Sequence, residues 1–313
     1  MNISICITVL NEEGSIGKLL DSLLGGSKKA NEIVIVDGGS ADKTVEIIRH
    51  YQKRYSGIKL IIEKSSRAKA RNIAVDIAKG EIIAMTDAGC VADPDWILNI
   101  VKPFETGKVD VVAGFYSMQG SRPPQKAMSI FMGVTPRKFN QSFLPSTRSM
   151  AFTKEIWERV GGFPENTKGT AEDTIFNLRL IKNGARISRM KNAIVEWGMP
   201  TSISNFQSSI YNYAKGDAKS KNLIFPGKGL MSHNIKALSI FARYIFIIFL
   251  LIFGLERRPL LWLDVAIMLF YLIWAYRKVY LEFGDWRVAL WGPILQIVSD
   301  FAVMRGFISG IIA

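Results

Sequence analysis

From Ile3 to Met118 the chain changes hydrophobic period again and again, and that alternation restricts its fold more than any other feature. ISICITVL, Ile3 to Leu10, is a short apolar run rich in β-branched residues and reads as a buried strand. Ile16, Leu19, Leu20, Leu23 and Leu24 then fall on one helical stripe, ended by Gly25 and Gly26. EIVIVDGG repeats the strand pattern and Thr44 to Tyr55 the helical one. KLIIEK is a third strand, Ala68 to Ala78 a third helix closed by Gly80, and EIIAMTDA a fourth strand. Pro94 is placed to open a fourth helix at its first turn, and DVVAGFYSM is a fifth strand. Strand and helix alternating through short connections imply a mainly parallel α/β sheet with right-handed crossovers. Ligands of such sheets bind beyond the carboxyl ends of the strands. Polar residues gather there: Asn11 and Glu12 after the first strand, Asp37 after the second, Asp87 after the fourth.

Residues 119–200 are less regular. They hold a proline-rich loop at Arg122 to Pro124 and an amphipathic stretch from Met128 to Val134. PSTRSMAFTKEIWERVGGFPE reads as a strand and then a helix capped by Gly161 and Gly162. GTAEDTIFNLRLIKNGARI reads as a helix ended by Gly184. From Lys236 onward the composition changes to Ile, Leu, Phe, Val, Ala and Trp. Ala237 to Leu255 and Leu260 to Tyr276 are each near the roughly 20 residues that cross a bilayer. A third stretch, Val288 to Ala313, contains Asp300 and Arg305. Each charge costs about 2.5–3.5 kcal/mol at mid-membrane. That stretch either spans with both groups turned to other helices or lies partly at the interface. The trytophan and tyrosine residues Trp262, Trp274, Tyr276, Tyr280, Trp286 and Trp291 fit an interfacial belt. The expected division is a domain at 1–220 and an interfacial and membrane region of two or three helices at 221–313.

The formal net charge is +13, which suits an anionic membrane surface or phosphate-bearing ligands. Zinc-finger spacing and RNA-binding aromatic signatures are missing, so nucleic acid is not expected as a partner. Lys215, Lys219, Lys221, Lys228 and Lys236 crowd toward the apolar tail, where anionic headgroups would meet them. Cys6 and Cys90 form no CxxC pair and read as buried thiols. MNISICITVLNEE has no basic region ahead of its apolar run, so the polar part is expected on the cytoplasmic side of the cell membrane. The basic segment Arg277 to Arg287 is expected to return there as a loop.

Several short segments carry chemistry. In VDGGSADKT, Asp37 at a strand end can accept from a base or ribose, although an acid at such a turn is as readily a cap. RAKARN places Arg67, Lys69 and Arg71 at a helix start, an anion site or a solvated basic face. In TDAG, Asp87 can hold a divalent cation on a diphosphate, or simply close a turn. Glu172 and Asp173 are adjacent carboxylates at a helix start, where acids ordinarily complement the dipole.

In order, TVLNEE, VDGGSADKT, RAKARN, TDAG with PDW following, GGF, and ED with a downstream Arg and Gly make the chain resemble the family 2 glycosyltransferases over residues 3–217. The resemblance implies a GT-A fold that binds a nucleotide-sugar donor and transfers the sugar with inversion. It assigns Asp37 to the base or ribose and Arg67, Arg71 and Asn72 to the nucleotide and its phosphates. It makes Asp87 the first acid of the family's DxD, the ligand of a divalent Mg or Mn. Gly161, Gly162 and Phe163 would line the acceptor side, and Asp173 would be the general base with Glu172 beside it. Two positions depart from the pattern: Gly38 replaces the second acid of the nucleotide turn, and Gly89 the second acid of DxD. NFQSSIYNYAKGD has Gln207 followed by Tyr211 where processive synthases have QxxRW, and otherwise reads as an amphipathic interfacial helix. The expected acceptor is lipid-linked, or else a glycan. A polysaccharide synthase and a non-catalytic nucleotide-sugar-binding membrane protein are the alternatives.

Overall fold

The computed structural model describes residues 1–165, 172–219 and 233–312. In chain order the first elements are β1 (Ile3–Val9), α1 (Ile16–Gly25), β2 (Glu32–Asp37), α2 (Thr44–Arg54), β3 (Ile58–Ile62), α3 (Arg67–Ile77), β4 (Ile82–Met85), β5 (Cys90–Ala92), α4 (Trp96–Val101), β6 (Val111–Gln119) and α5 (Pro123–Met132). Then come β7 (Met150–Thr153), α6 (Lys154–Arg159), α7 (Glu172–Lys182), β8 (Ile187–Gly198), α8 (Ile203–Lys219), α9 (His233–Gly254), α10 (Arg258–Phe283), α11 (Trp286–Ala289) and α12 (Trp291–Ile312). They group into two compact units. The first takes residues 1–118, 136–165 and 172–198, and the second 119–135, 199–219 and 233–312.

The first unit is built on one sheet of strand order β3-β2-β1-β4-β7-β6-β8-β5. Its β3-β2-β1-β4 half is parallel, as the strand–helix alternation requires. Beyond β4 the pairing reverses: β7 runs antiparallel to β4, β6 to β7 and β5 to β8. The sheet is therefore mixed. Its antiparallel half rests on β5 and β8, whose three residues and half-exposed alternation carry too weak a pattern to read as strands. The order reverses at β1, which has β2 on one side and β4 on the other, the switch point where α/β sheets bind ligands. Helix α3 can lie close on β1 and β2 because its inner face is Ala68, Ala70, Ala74 and Val75. Ser66 caps it, accepting from the Lys69 N–H at 3.3 Å. Pro94 lies ahead of α4 rather than inside it; the helix starts at Trp96 with Asp95 as N-cap.

In the second unit three helices are long and apolar enough to cross a membrane: Asn234–Gly254, Arg258–Phe283 and Trp286–Ile312. They differ in how much they bury. The most apolar stretch of the third is 44% buried, against 17% and 11% for the first two. Helices α9 and α10 thus present apolar surface outward, whereas α12 packs on protein. Its main neighbour is α8. A Cβ at Gly306 would lie 2.4 Å from the Tyr211 carbonyl oxygen, and one at Gly310 2.5 Å from that of Lys215. The G-x-x-x-G of GFISG is what lets the two backbones approach. Asp300 is turned inward, 1% exposed. Its Oδ2 accepts from Arg243 at 3.1 Å, Tyr244 at 3.2 Å and Tyr271 at 2.5 Å, and its Oδ1 from Gln296 at 3.0 Å. Arg277 and Lys278 lie within α10, which runs on to Phe283, so the segment expected as a loop narrows to Gly284 and Asp285.

Candidate active site

The acids and bases named from the sequence come from turns at the carboxyl edge of the parallel strands and from the start of α7. Asp87 stands two residues past β4, in the turn that leads into β5. Arg71, one turn into α3, is 2% exposed and forms the centre. Its guanidinium donates to Glu172 Oε1 at 2.8 Å, to Asp87 Oδ1 at 3.3 Å and to Thr147 Oγ1 at 2.8 Å. Arg67, largely exposed, reaches the same Glu172 oxygen at 3.5 Å. Glu172 is thereby buried and held between two guanidinium groups.

Asp173, next to it, is placed differently. Its Oδ1 accepts the Thr174 N–H at 2.8 Å, and no Lys or Arg lies within ion-pair distance of it among the described residues. Burial pushes its carboxyl above the usual value, the charge of Glu172 adds to this, and Arg71 and Arg148 oppose it. Asp87 moves the other way. Burial would raise it, but Arg71, Arg148 and Arg67 outweigh that and hold it below the ordinary carboxylate value. It is ionised at neutral pH, and its side chain is one-third exposed (32%).

The antiparallel half adds residues that the sequence reading missed. Arg148, just ahead of β7, places its guanidinium carbon 3.8 Å from the Trp197 ring centroid and 5.1 Å from that of Tyr116. Trp197 is brought there by β8, which pairs Cys90 with Trp197. Gly89 faces the same indole: a Cβ there would lie 4.0 Å from Trp197 Nε1. The only sequence signal for this wall was the Thr-Arg pair ahead of MAFT.

Three further residues named from the sequence make contacts within the protein. Asp37 is fully buried, with Oδ1 accepting the Gly39 and Ser40 N–H groups at 2.9 Å each and Oδ2 the Ser40 hydroxyl at 2.5 Å. It shapes its turn. Asn72 holds a turn: its amide donates to the Phe163 carbonyl and to Glu165 Oε1 at 2.8 Å each, and accepts the Phe163 N–H at 2.8 Å. Phe163 is 1% exposed and stacked on Phe176 at 4.2 Å. Gly161 and Gly162 have φ of +74° and +65°, and a Cβ at Gly162 would come within 2.8 Å of Asn72 Oδ1. The Gly-Gly-Phe turn is thus a clasp on α3. At the ligand edge, Asn11 has φ +55°, an unusual conformation for a non-glycine residue, and its Oδ1 accepts the Ala41 N–H at 2.8 Å.

Among the described residues no three His, Cys, Asp or Glu side chains gather as a metal site. Asp87 has both an open side and a charge held at neutral pH. That suits a Mg²⁺-type cation, which is commonly held by one or two carboxylates with the rest of its shell from substrate phosphates.

A family model described as glycosyl transferase family 2 matches residues 4–163. Glycosyltransferase AglE of Haloferax volcanii is 26% identical over 171 residues, 52% of this chain and 56% of that protein. A dolichyl N-acetyl-α-D-glucosaminyl phosphate 3-β-D-2,3-diacetamido-2,3-dideoxy-β-D-glucuronosyltransferase of Methanococcus voltae is 28% identical over 235 residues, 68% of this chain and 73% of that one. The uncharacterized glycosyltransferase EpsJ of Bacillus subtilis is matched over 59% of its length, so the chain spans little more than half of some of these relatives. Among solved structures, mannosyltransferase PcManGT from Pyrobaculum calidifontis in complex with GDP-Man and Mn²⁺ superposes over 96% of this chain and 86% of that one, with TM-score 0.61 and 19% identity. S. aureus TarS 1-349 in complex with UDP covers 71% of this chain and 67% of that one, with TM-score 0.54 and 21% identity. At those identities the likeness concerns the fold.

Proposed function

This chain belongs to glycosyl transferase family 2, and we propose that it transfers a sugar, with inversion, from a nucleotide-diphosphate sugar to a lipid-linked acceptor at the cytoplasmic face of a membrane. The observation that carries the reading is the divergence of two adjacent carboxylates. Glu172 is locked by Arg71 and Arg67, while Asp173 has no cation partner among the described residues and a carboxyl pushed upward by burial. Environments that separate two neighbouring acids in this way mark a base and a fixed electrostatic partner.

In the proposed reaction an acceptor hydroxyl oxygen forms a bond to the anomeric carbon while the bond from that carbon to the diphosphate oxygen breaks. Asp173 takes the hydroxyl proton. The electron pair leaves on the nucleotide diphosphate, whose charge Arg67 and Arg148 meet. Arg71, buried between Asp87 and Glu172, orients both. A divalent cation, Mg²⁺ or Mn²⁺, would be held by Asp87 and would supply further charge neutralisation on the diphosphate. Arg148, flat against Trp197, suits a phosphate or a sugar face.

The lipid-linked acceptor is supported by the three apolar helices and by the dolichyl-phosphate-linked substrate in the name of the Methanococcus voltae relative. The test is nucleotide diphosphate release by the full-length protein from a panel of UDP- and GDP-sugars, with and without polyprenyl-linked acceptors. Acceptor-stimulated release with at least one donor is expected. A protein that binds donors but never releases the nucleotide would be a binding protein only. For the orientation, Glu256→Cys should react with an impermeant thiol reagent added outside intact cells and Gly284→Cys should not; the reverse pattern would overturn it.

A further inference from the structure

Helices α8 and α12 border an open cleft of about 190 Å³, lined by Gln207, Ser208, Tyr211, Ala302 and Arg305. Its chemistry is cationic and donor-rich. The Lys215 ammonium and the Arg305 guanidinium both lie by the Tyr211 ring, at 5.7 Å and 6.0 Å from its centroid. The Tyr211 hydroxyl donates to Ser309 Oγ at 3.0 Å. Arg305 forms no ion pair with an Asp or Glu among the described residues, in contrast to Arg243, which is paired with Asp300.

The depth of the cleft follows from its two walls. Along α12 the exposed positions are Ile294, Phe301, Arg305, Ile308, Ile311 and Ile312, a stripe that is apolar apart from the arginine. An arginine on an apolar, outward-facing stripe is costly in hydrocarbon and favourable at the headgroup level. Helix α8 gives the same answer independently. It runs parallel to α12, with Tyr211 and Lys215 backbones against Gly306 and Gly310, and it carries Lys215, Asp217 and Lys219. A helix so charged lies in the headgroup layer and fixes the last turns of α12 there too. A guanidinium beside hydroxyl and amide donors matches a phosphate, which accepts several charge-assisted bonds at once. Phe301 and Ile308, one turn either side of Arg305, offer apolar contact to a chain attached to that phosphate.

We propose that the cleft between α8 and α12 binds the phosphate headgroup of a lipid phosphate monoester, with Arg305 as its cation and Ser208 and Gln207 as donors. The inference rests on the membrane attachment in the function proposed above and names a second place where that lipid is held. Full-length protein in phosphatidylcholine nanodiscs, titrated with farnesyl phosphate and followed by thermophoresis, tests it. Saturable binding is expected, weakened about tenfold or more by Arg305→Gln and partly restored in Arg305→Lys. Farnesol should bind as weakly as farnesyl phosphate binds Arg305→Gln. Inorganic phosphate binding as tightly as farnesyl phosphate would overturn the lipid source. Unchanged farnesyl phosphate affinity in a folded Arg305→Gln, shown by an unaltered melting temperature, would overturn the site. Wild-type protein that binds farnesyl phosphate through Arg305 yet transfers no sugar from any donor would support the site while defeating the transferase reading.

Discussion

Asp300 in the second unit and Asp173 in the first are both carboxylates close to an arginine, and they are completed differently. Asp300 has every bond met: Arg243, Tyr244 and Tyr271 on one oxygen and Gln296 on the other. It ties α9, α10 and α12 together. Among the described residues Asp173 has one backbone N–H and no cation, although Arg71 stands close enough to bind Glu172 and Asp87. A buried charge whose valences are all filled holds helices in register. One that is left short, beside residues that could have filled it, keeps a basic oxygen for a substrate.

The sharpest way to break that contrast is to remove the basic oxygen. Asp173→Asn keeps the size and the Thr174 contact and is expected to lower kcat about 10²–10⁴-fold, with donor affinity near wild type. Single-turnover kinetics with a hydroxyl acceptor measure it, and wild-type turnover would remove Asp173 from the chemistry. The pH profile adds a sign. A base works ionised, so activity is present above its pKa in the folded enzyme and is lost as pH falls through it. Because burial raises the Asp173 carboxyl, the acid limb should lie above the ordinary carboxylate range. That limb should be missing from the residual activity of Asp173→Asn.

Next in size is Arg71→Met, which leaves Glu172 buried without its 2.8 Å partner. Removing one member of a buried ion pair destabilises by about 3–5 kcal/mol, so denaturant unfolding of the first unit should shift accordingly. An unshifted midpoint would mean that Glu172 is protonated or solvated there. Asp300→Asn should cost less, about 1–3 kcal/mol, because Arg243 is partly exposed and can reach water or headgroups. Its kcat per folded molecule should stay at wild type. A catalytic loss as large as that of Asp173→Asn would erase the distinction between the two carboxylates.

How much of this was legible in the sequence follows the same divide between local and distant causes. The parallel strands were legible because Ile3–Val9 and Glu32–Asp37 are buried on both faces and read as continuous apolar runs. The grouping of Asp87, Glu172 and Asp173 was legible through ordered motifs. The contacts of Asn72 and Phe163 were not, because they depend on a turn some 91 positions away folding back onto α3. Nor was the Arg148–Trp197 stack, which needs the antiparallel β8, a strand whose half-buried alternation blurs its period. In the tail, length and apolarity marked three helices, but only the close approach at Gly306 and Gly310 separates α12, packed on α8, from the two that face outward.

The smallest expected effect concerns the open side of Asp87. Gly89 stands where the family pattern has a second acid, and the backbone there does not demand glycine, since its φ is not positive among the residues that carry that feature. A Cβ would meet nothing nearer than Trp197 Nε1 at 4.0 Å. Gly89→Asp should therefore fold with stability within about 0.5 kcal/mol of wild type. The new carboxylate brings like charge toward Asp87 and competes with it for the guanidinium groups of Arg71 and Arg148, so without metal it should weaken nucleotide diphosphate binding slightly. With Mn²⁺ present the sign reverses, because two carboxylates hold a dication better than one. Calorimetric titration of UDP or GDP with and without Mn²⁺ reads both signs. If Gly89→Asp binds the nucleotide diphosphate identically in the two conditions, the cation is not held at Asp87 and its placement there is wrong.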